Sequence, residues 1–106
     1  MCIRDSIYAL DYFCRLQKTK GFDELKDLTR PSIQPLVEAL VLEEIDGGGW
    51  NYANQRKHAC FVTGPALQAL MLAKQNGASV PESVLQRGVG VLTLSLIHIS
   101  EPTRPY

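Results

Sequence analysis

The sequence predicts an all-α fold, on three observations. Apolar residues recur at three- and four-residue spacing in four separate stretches. Helix punctuation, either glycine or a capping residue, stands between the stretches. No period-two alternation competes, because the only Val-rich run, Val89 to Leu92, falls inside the last helical stretch. The expected order is helix, charged connection, helix, Gly-rich turn with Trp, helix, short loop, helix.

The two ends of the chain are expected not to belong to this fold. One choice of codons for Met1-Cys2-Ile3-Arg4-Asp5-Ser6 is ATG TGT ATA AGA GAC AG plus one further base. Its reverse complement, CTG TCT CTT ATA CAC AT, encodes Leu94-Ser95-Leu96-Ile97-His98-Ile99. A DNA fragment flanked by inverted transposase ends carries its own reverse complement in this way, and a natural coding sequence has no reason to. The nucleotides resemble the transposon mosaic end of sequencing libraries, and Ser100-Glu101-Pro102-Thr103-Arg104 resembles the primer beyond it. Residues 1–6 and 94–106 are therefore set aside as translated adapter, and residues 7–93 are read for fold and function. Residues 1–6 and about 100–106 are expected to make few buried contacts, while residues 94–99 are apolar enough to extend the last helix.

The first helix is expected from about Ile7 to Lys18, with Ile7, Leu10, Phe13, Cys14 and Gln17 on one face and Gly21 as its stop. Phe22 to Arg30 is a charged connection, with Leu25 and Leu28 as anchors; such charge runs are usually solvated. Ser32 is placed to cap the second helix, with Pro35 in its first turn, where a missing N–H costs little. Its stripe is Ile33, Leu36, Val37, Leu40 and Val41, and it ends at Asp46-Gly47-Gly48-Gly49. Thr63 is expected to cap the third helix, whose Ala66, Leu67, Ala69, Leu70 and Ala73 face inward and whose stop is Gly77. Ser79-Val80-Pro81-Glu82 reads as a capping box for the fourth helix, with Val84, Leu85, Gly88, Val91 and Leu92 on one side. Helix pairs at a period of roughly 40–55 residues suggest a helical repeat array, in which no pair buries its apolar face alone.

The turn Asp46-Gly47-Gly48-Gly49-Trp50-Asn51-Tyr52, followed by the small- and leucine-rich stretch Phe61 to Leu70, is the most informative segment. It resembles one junction of the prenyltransferase and squalene-cyclase repeat family, the terpenoid-cyclase-like proteins. The resemblance implies a partial α/α-toroid, about two helix-hairpin repeats of a larger ring in which inner and outer helices alternate. The first and third helices would be inner, the second and fourth outer. The repeat's usual Gln before the turn is replaced by Leu42-Glu43-Glu44-Ile45, there is a third glycine, and the connection Asn51 to Cys60 is long and polar. Asp46, Gly47, Gly48, Gly49, Trp50 and Tyr52 are assigned a structural turn role, with Trp50 plugging the helix ends and Asp46 bonding the glycine N–H groups.

The resemblance implies a parent that acts on isoprenoid or polycyclic terpenoid substrates, with an isoprenoid ligand and the remaining repeats of the parent chain as partners. The alternative is a non-catalytic toroid module that binds a ligand or a protein. Residues 7–93 lack the Asp-x-Asp-Asp acid of the cyclases and the Cys-Gly-Glu-Gln stretch of thioester toroids. His58 and Cys60 are two ligands where zinc needs three or four, so no metal site, cofactor or catalytic residue is assigned. Arg56, Lys57 and His58 are the candidates for binding an anion. Charge is balanced at nine basic and nine acidic residues once Arg4, Asp5, Glu101 and Arg104 are removed from eleven of each, which excludes a nucleic-acid footprint. No run approaches the length of a membrane span. Cys14 and Cys60 have no paired spacing and read as small apolar residues. Because Met1 lies in the adapter, no localisation is assigned.

Overall fold

The computed structural model describes residues 2–52 and 55–99. They form five α-helices, α1 (Ile3–Gln17), α2 (Asp23–Thr29), α3 (Ile33–Leu42), α4 (Cys60–Gln75) and α5 (Glu82–Ile99), with a 3-10 turn at Arg30–Ser32 leading into α3. The chain is all-helical, and no described residue is in a strand. No helix among the described residues is long and apolar enough to cross a membrane.

α1 packs against α4 and α3, α4 packs against α3 as well, and α5 packs against α4. Side-chain contacts give the directions. The N-terminal ends of α1 and α4 meet where Ile7 and Tyr8 face Phe61, Val62 and Pro65. Their C-terminal ends meet where Asn76 Nδ2 donates to the Cys14 carbonyl at 3.3 Å. The two helices are therefore parallel. α3 runs against them: its first turn reaches the end of α4 through Gln34 and Ser79, whose side chain and backbone exchange two hydrogen bonds. Its last turn reaches the start of α4 through Trp50. α5 is also antiparallel to α4, with Glu82 paired to Lys74. Ala66, Ala69, Leu70 and Ala73, all fully buried, form the face of α4 that the core closes on, and alanines let its neighbours approach closely.

Several boundaries differ from the sequence reading. α1 begins at Ile3, and both Ile3 and Ser6 are buried, contrary to the expectation for residues 1–6. Ile3 precedes Ile7 by four residues and continues the same stripe, and a helix buries an apolar side chain there whatever DNA encoded it. Residues 94–99 extend α5; residues 100–106 lie outside the described residues. The charged connection forms α2, but Leu25 and Leu28 are exposed and the buried residue is Thr29, which accepts from Gln17 Nε2 at 3.2 Å. Ser32 makes no capping bond, because the 3-10 turn already carries the chain into α3. The proposed capping box does not form: Gln34 takes the Ser79 N–H, and Glu82 pairs with Lys74. Gly77 does end α4, at φ 90°. The Ala78 N–H reaches Ala73 O and the Gly77 N–H reaches Lys74 O, the paired bonds of a Schellman motif.

Candidate functional site

The turn between α3 and α4 carries the densest set of specific contacts. Gly47, Gly48 and Gly49 all have positive φ, at 92°, 114° and 85°. The turn closes on itself through Gly48 N–H to Ile45 O and Ile45 N–H to Gly49 O. The second and third glycines also answer to space. A Cβ on Gly48 would lie 2.8 Å from the backbone oxygen of Arg87, and one on Gly49 would lie 2.5 Å from the Cβ of His58. Gly47 has nothing within 4 Å and is required for its φ alone.

The indole of Trp50 is fully buried. Its Nε1 donates at 2.8 Å to the carbonyl of Leu40 in the last turn of α3, which also accepts from the Glu43 N–H at 3.1 Å. Its backbone N–H donates to Thr63 Oγ1 at 2.9 Å, and its carbonyl accepts from Thr63 Oγ1 at 3.1 Å and from the Ala59 N–H at 2.9 Å. Every polar group of Trp50 is paired, as a fully buried residue requires. On the α5 side Gly88 makes room: a Cβ there would lie 2.7 Å from Leu67 and 3.3 Å from the indole.

Thr63 is not the cap of α4. The helix starts one turn earlier, at Cys60, and Thr63 lies inside it with its hydroxyl turned onto Trp50. Asp46 does not bond the glycine N–H groups; it is exposed and makes no hydrogen bond to a described residue, because the Ile45 carbonyl takes the Gly48 N–H instead. Tyr52 is half-exposed, its ring 5.9 Å from that of Phe61. Of the anion-binding candidates, Arg56 and Lys57 are exposed and His58 is half-buried. His58 Nδ1 lies 3.2 Å from Thr63 Oγ1 and its Nε2 lies 2.7 Å from Ser95 Oγ, both within hydrogen-bond distance. Ser95 lies in the segment read as adapter.

One contact here was not expected from the sequence. Glu44, close to where the repeat pattern carries Gln, receives Arg87 two-toothed at 2.8 and 2.9 Å and joins the end of α3 to α5 across the glycine turn. The hydrogen bonds to Glu44 hold the Arg87 guanidinium protonated more firmly than usual. Cys14 is fully buried, and desolvation, with Asp11 adding to it, pushes its thiol up to about 11.

Among the described residues no three His, Cys, Asp or Glu side chains come together as a metal site would require. A depression lined by Arg4, Ile7, Tyr8, Tyr52, Phe61 and Pro65 encloses about 20 Å³. That is room for about one water molecule. The chain matches no protein-family model, no curated protein and no solved structure.

Proposed function

We propose that residues 7–93 are about two helix-hairpin repeats of a larger α/α-toroid related to the prenyltransferase and squalene-cyclase repeats, with residues 1–6 and 94–106 translated from library adapter. In this reading the fragment is scaffold, and the chemistry of the isoprenoid-processing parent sits on repeats beyond it. The observation that carries it is the parallel pairing of α1 with α4 while α3 and α5 run antiparallel behind them. Alternating inner and outer helices of a toroid would pack in this way. In this reading the Gly-Gly-Gly-Trp turn is the outer-to-inner junction.

The second reading, a non-catalytic repeat module, draws support from the turn itself. Every polar group of Trp50 is spent on holding α3 to α4. Recovering the complete reading frame from the source DNA tests both. Further Gly-Trp turns at a period of roughly 40–55 residues are expected, and a frame with none overturns the repeat reading. An Asp-x-Asp-Asp acid or a third zinc ligand on an inner helix favours the enzyme; a complete ring without either favours the module.

A further inference from the structure

An asparagine followed by glycine closes on itself readily, because glycine has no side chain to hinder its backbone nitrogen from reaching the asparagine side-chain carbon. Asn76-Gly77 is such a pair, and it stands where α4 ends beside the end of α1. The half-buried Asn76 side chain is a donor there. Its Nδ2 donates to the Leu72 carbonyl at 2.9 Å and to the Cys14 carbonyl at 3.3 Å, joining the last turn of α4 to the last turn of α1. The Gly77 nitrogen is occupied as well: its N–H donates to the Lys74 carbonyl at 3.0 Å, as half of the Schellman pair. Asn76 has ψ 5°, which turns the Gly77 nitrogen over Asn76's own backbone nitrogen and away from its Cβ. Closure of a five-membered ring needs it on the Cβ side.

We propose that Asn76 is a covalent modification site, held shut by the native fold and released when the end shared by α1 and α4 opens. The Gly77 nitrogen attacks the side-chain carbonyl carbon of Asn76. A C–N bond forms to that carbon, its bond to Nδ2 breaks, and ammonia leaves with the proton that the Gly77 nitrogen gives up. Water then opens the succinimide at one carbonyl or the other, to aspartate or isoaspartate; nothing is oxidised or reduced. Neither product restores the end. An aspartate carboxylate has no N–H to give. It would set a negative charge against two carbonyl oxygens, at the negative end of the α4 dipole. Isoaspartate routes the main chain through the former side chain. The added carbon moves the Gly77 and Ala78 N–H groups off the Lys74 and Ala73 carbonyls. The step is therefore one-way: a molecule that has opened is marked, and its α1–α4 pairing stays weakened. The inference rests on the contacts at this end and not on the terpenoid resemblance.

Timed ageing followed by peptide mass spectrometry tests it on the chain as it stands. Trypsin cuts after Lys74 and Arg87 and releases residues 75–87, in which Asn76 is the single asparagine, so the amide-to-acid mass gain of that peptide reads the site. The chain is aged at one mildly alkaline pH and one temperature, in buffer and in guanidinium chloride, and far-UV circular dichroism confirms that the buffer sample is helical. Conversion in buffer should be slower by roughly tenfold or more, because only the opened fraction reacts. Equal rates overturn the proposal and leave the repeat reading standing, and a peptide that gains no mass in guanidinium overturns it as well. Gly77→Pro, aged in guanidinium where folding is not at issue, removes the attacking N–H and should show no gain; a gain that persists overturns the assigned chemistry. Urea midpoints read the consequence. Asn76→Asp should fall below Asn76→Ala, which loses the donor without adding charge, and an Asn76→Asp at or above Asn76→Ala overturns the one-way step. If neither variant folds, the aged wild type decides: returned from guanidinium to buffer, it should regain less helix than an unaged sample, and full recovery overturns that step.

Discussion

The Thr63 hydroxyl takes the Trp50 N–H at 2.9 Å and gives its own proton to the Trp50 carbonyl at 3.1 Å. One side chain of α4 thereby serves both backbone groups of the residue that leaves the glycine turn. A helical threonine ordinarily turns its hydroxyl back on its own helix. Here it holds the connection from α3 in place.

Thr63→Val keeps the shape and removes the hydroxyl, leaving the buried Trp50 N–H without a partner. The expected loss is about 1–3 kcal/mol, the cost of an unsatisfied buried donor. Thr63→Ser should recover most of it. Urea denaturation followed by circular dichroism measures the difference, and equal midpoints for wild type and Thr63→Val would remove the clamp from the account.

Trp50→Ala should destabilise by about 3–5 kcal/mol, the range for a large aromatic lost from a core. Trp50 is the single tryptophan of the chain, so its fluorescence reports on this site alone. Emission should be blue-shifted and resistant to acrylamide in the native state. Red-shifted, readily quenched emission would contradict its burial, and unchanged melting of Trp50→Ala would contradict its structural role.

The three glycines should separate under substitution by alanine. Gly47→Ala meets only the backbone penalty of a positive φ, about 1–2 kcal/mol. Gly48→Ala and Gly49→Ala carry that penalty and also collide with Arg87 and His58, adding about 1–3 kcal/mol of overpacking. Thermal melts of the three variants check the order, which fails if Gly47→Ala is the most damaging.

The Cys14 thiol, pushed up to about 11 from an ordinary 9.0, should resist alkylation at mildly alkaline pH. Exposed Cys2 should label first in the native chain, half-buried Cys60 next and Cys14 last. The sign for stability follows from which form burial favours. The neutral thiol is the buried form, so its contribution is complete below pH 9 and declines as pH rises toward about 11. Mass spectrometry after timed iodoacetamide treatment reads the first effect. Urea midpoints against pH, compared with Cys14→Ala, read the second; parallel pH profiles for the two proteins would sink it.

Much of the fold was legible because helix periodicity and glycine stops are local. The stripe Ile7, Leu10, Cys14, the stop at Gly77 and the inward face Ala66 to Ala73 depend only on residues three and four apart or on a single φ. The plugging role of Trp50 was legible as well, since a bulky ring directly after three glycines must fall back over the helix it has just left. Thr63 was misplaced because threonine before Gly-Pro carries the local signature of a cap. Nothing within a few residues of it says that a hydroxyl inside α4 meets a backbone thirteen positions earlier.

By itself the sequence determined the helical class, the four main helices and the glycine turn, all of which follow from short-range chemistry. Only the tertiary structure decided that Glu44 receives Arg87, that Gln34 displaces Glu82 at Ser79, and that Gly88 admits the indole edge. Those contacts join residues that are far apart in the chain. Their partners are selected when the helices close on one another, and a buried donor, acceptor or ring takes the complement that the closure brings within reach.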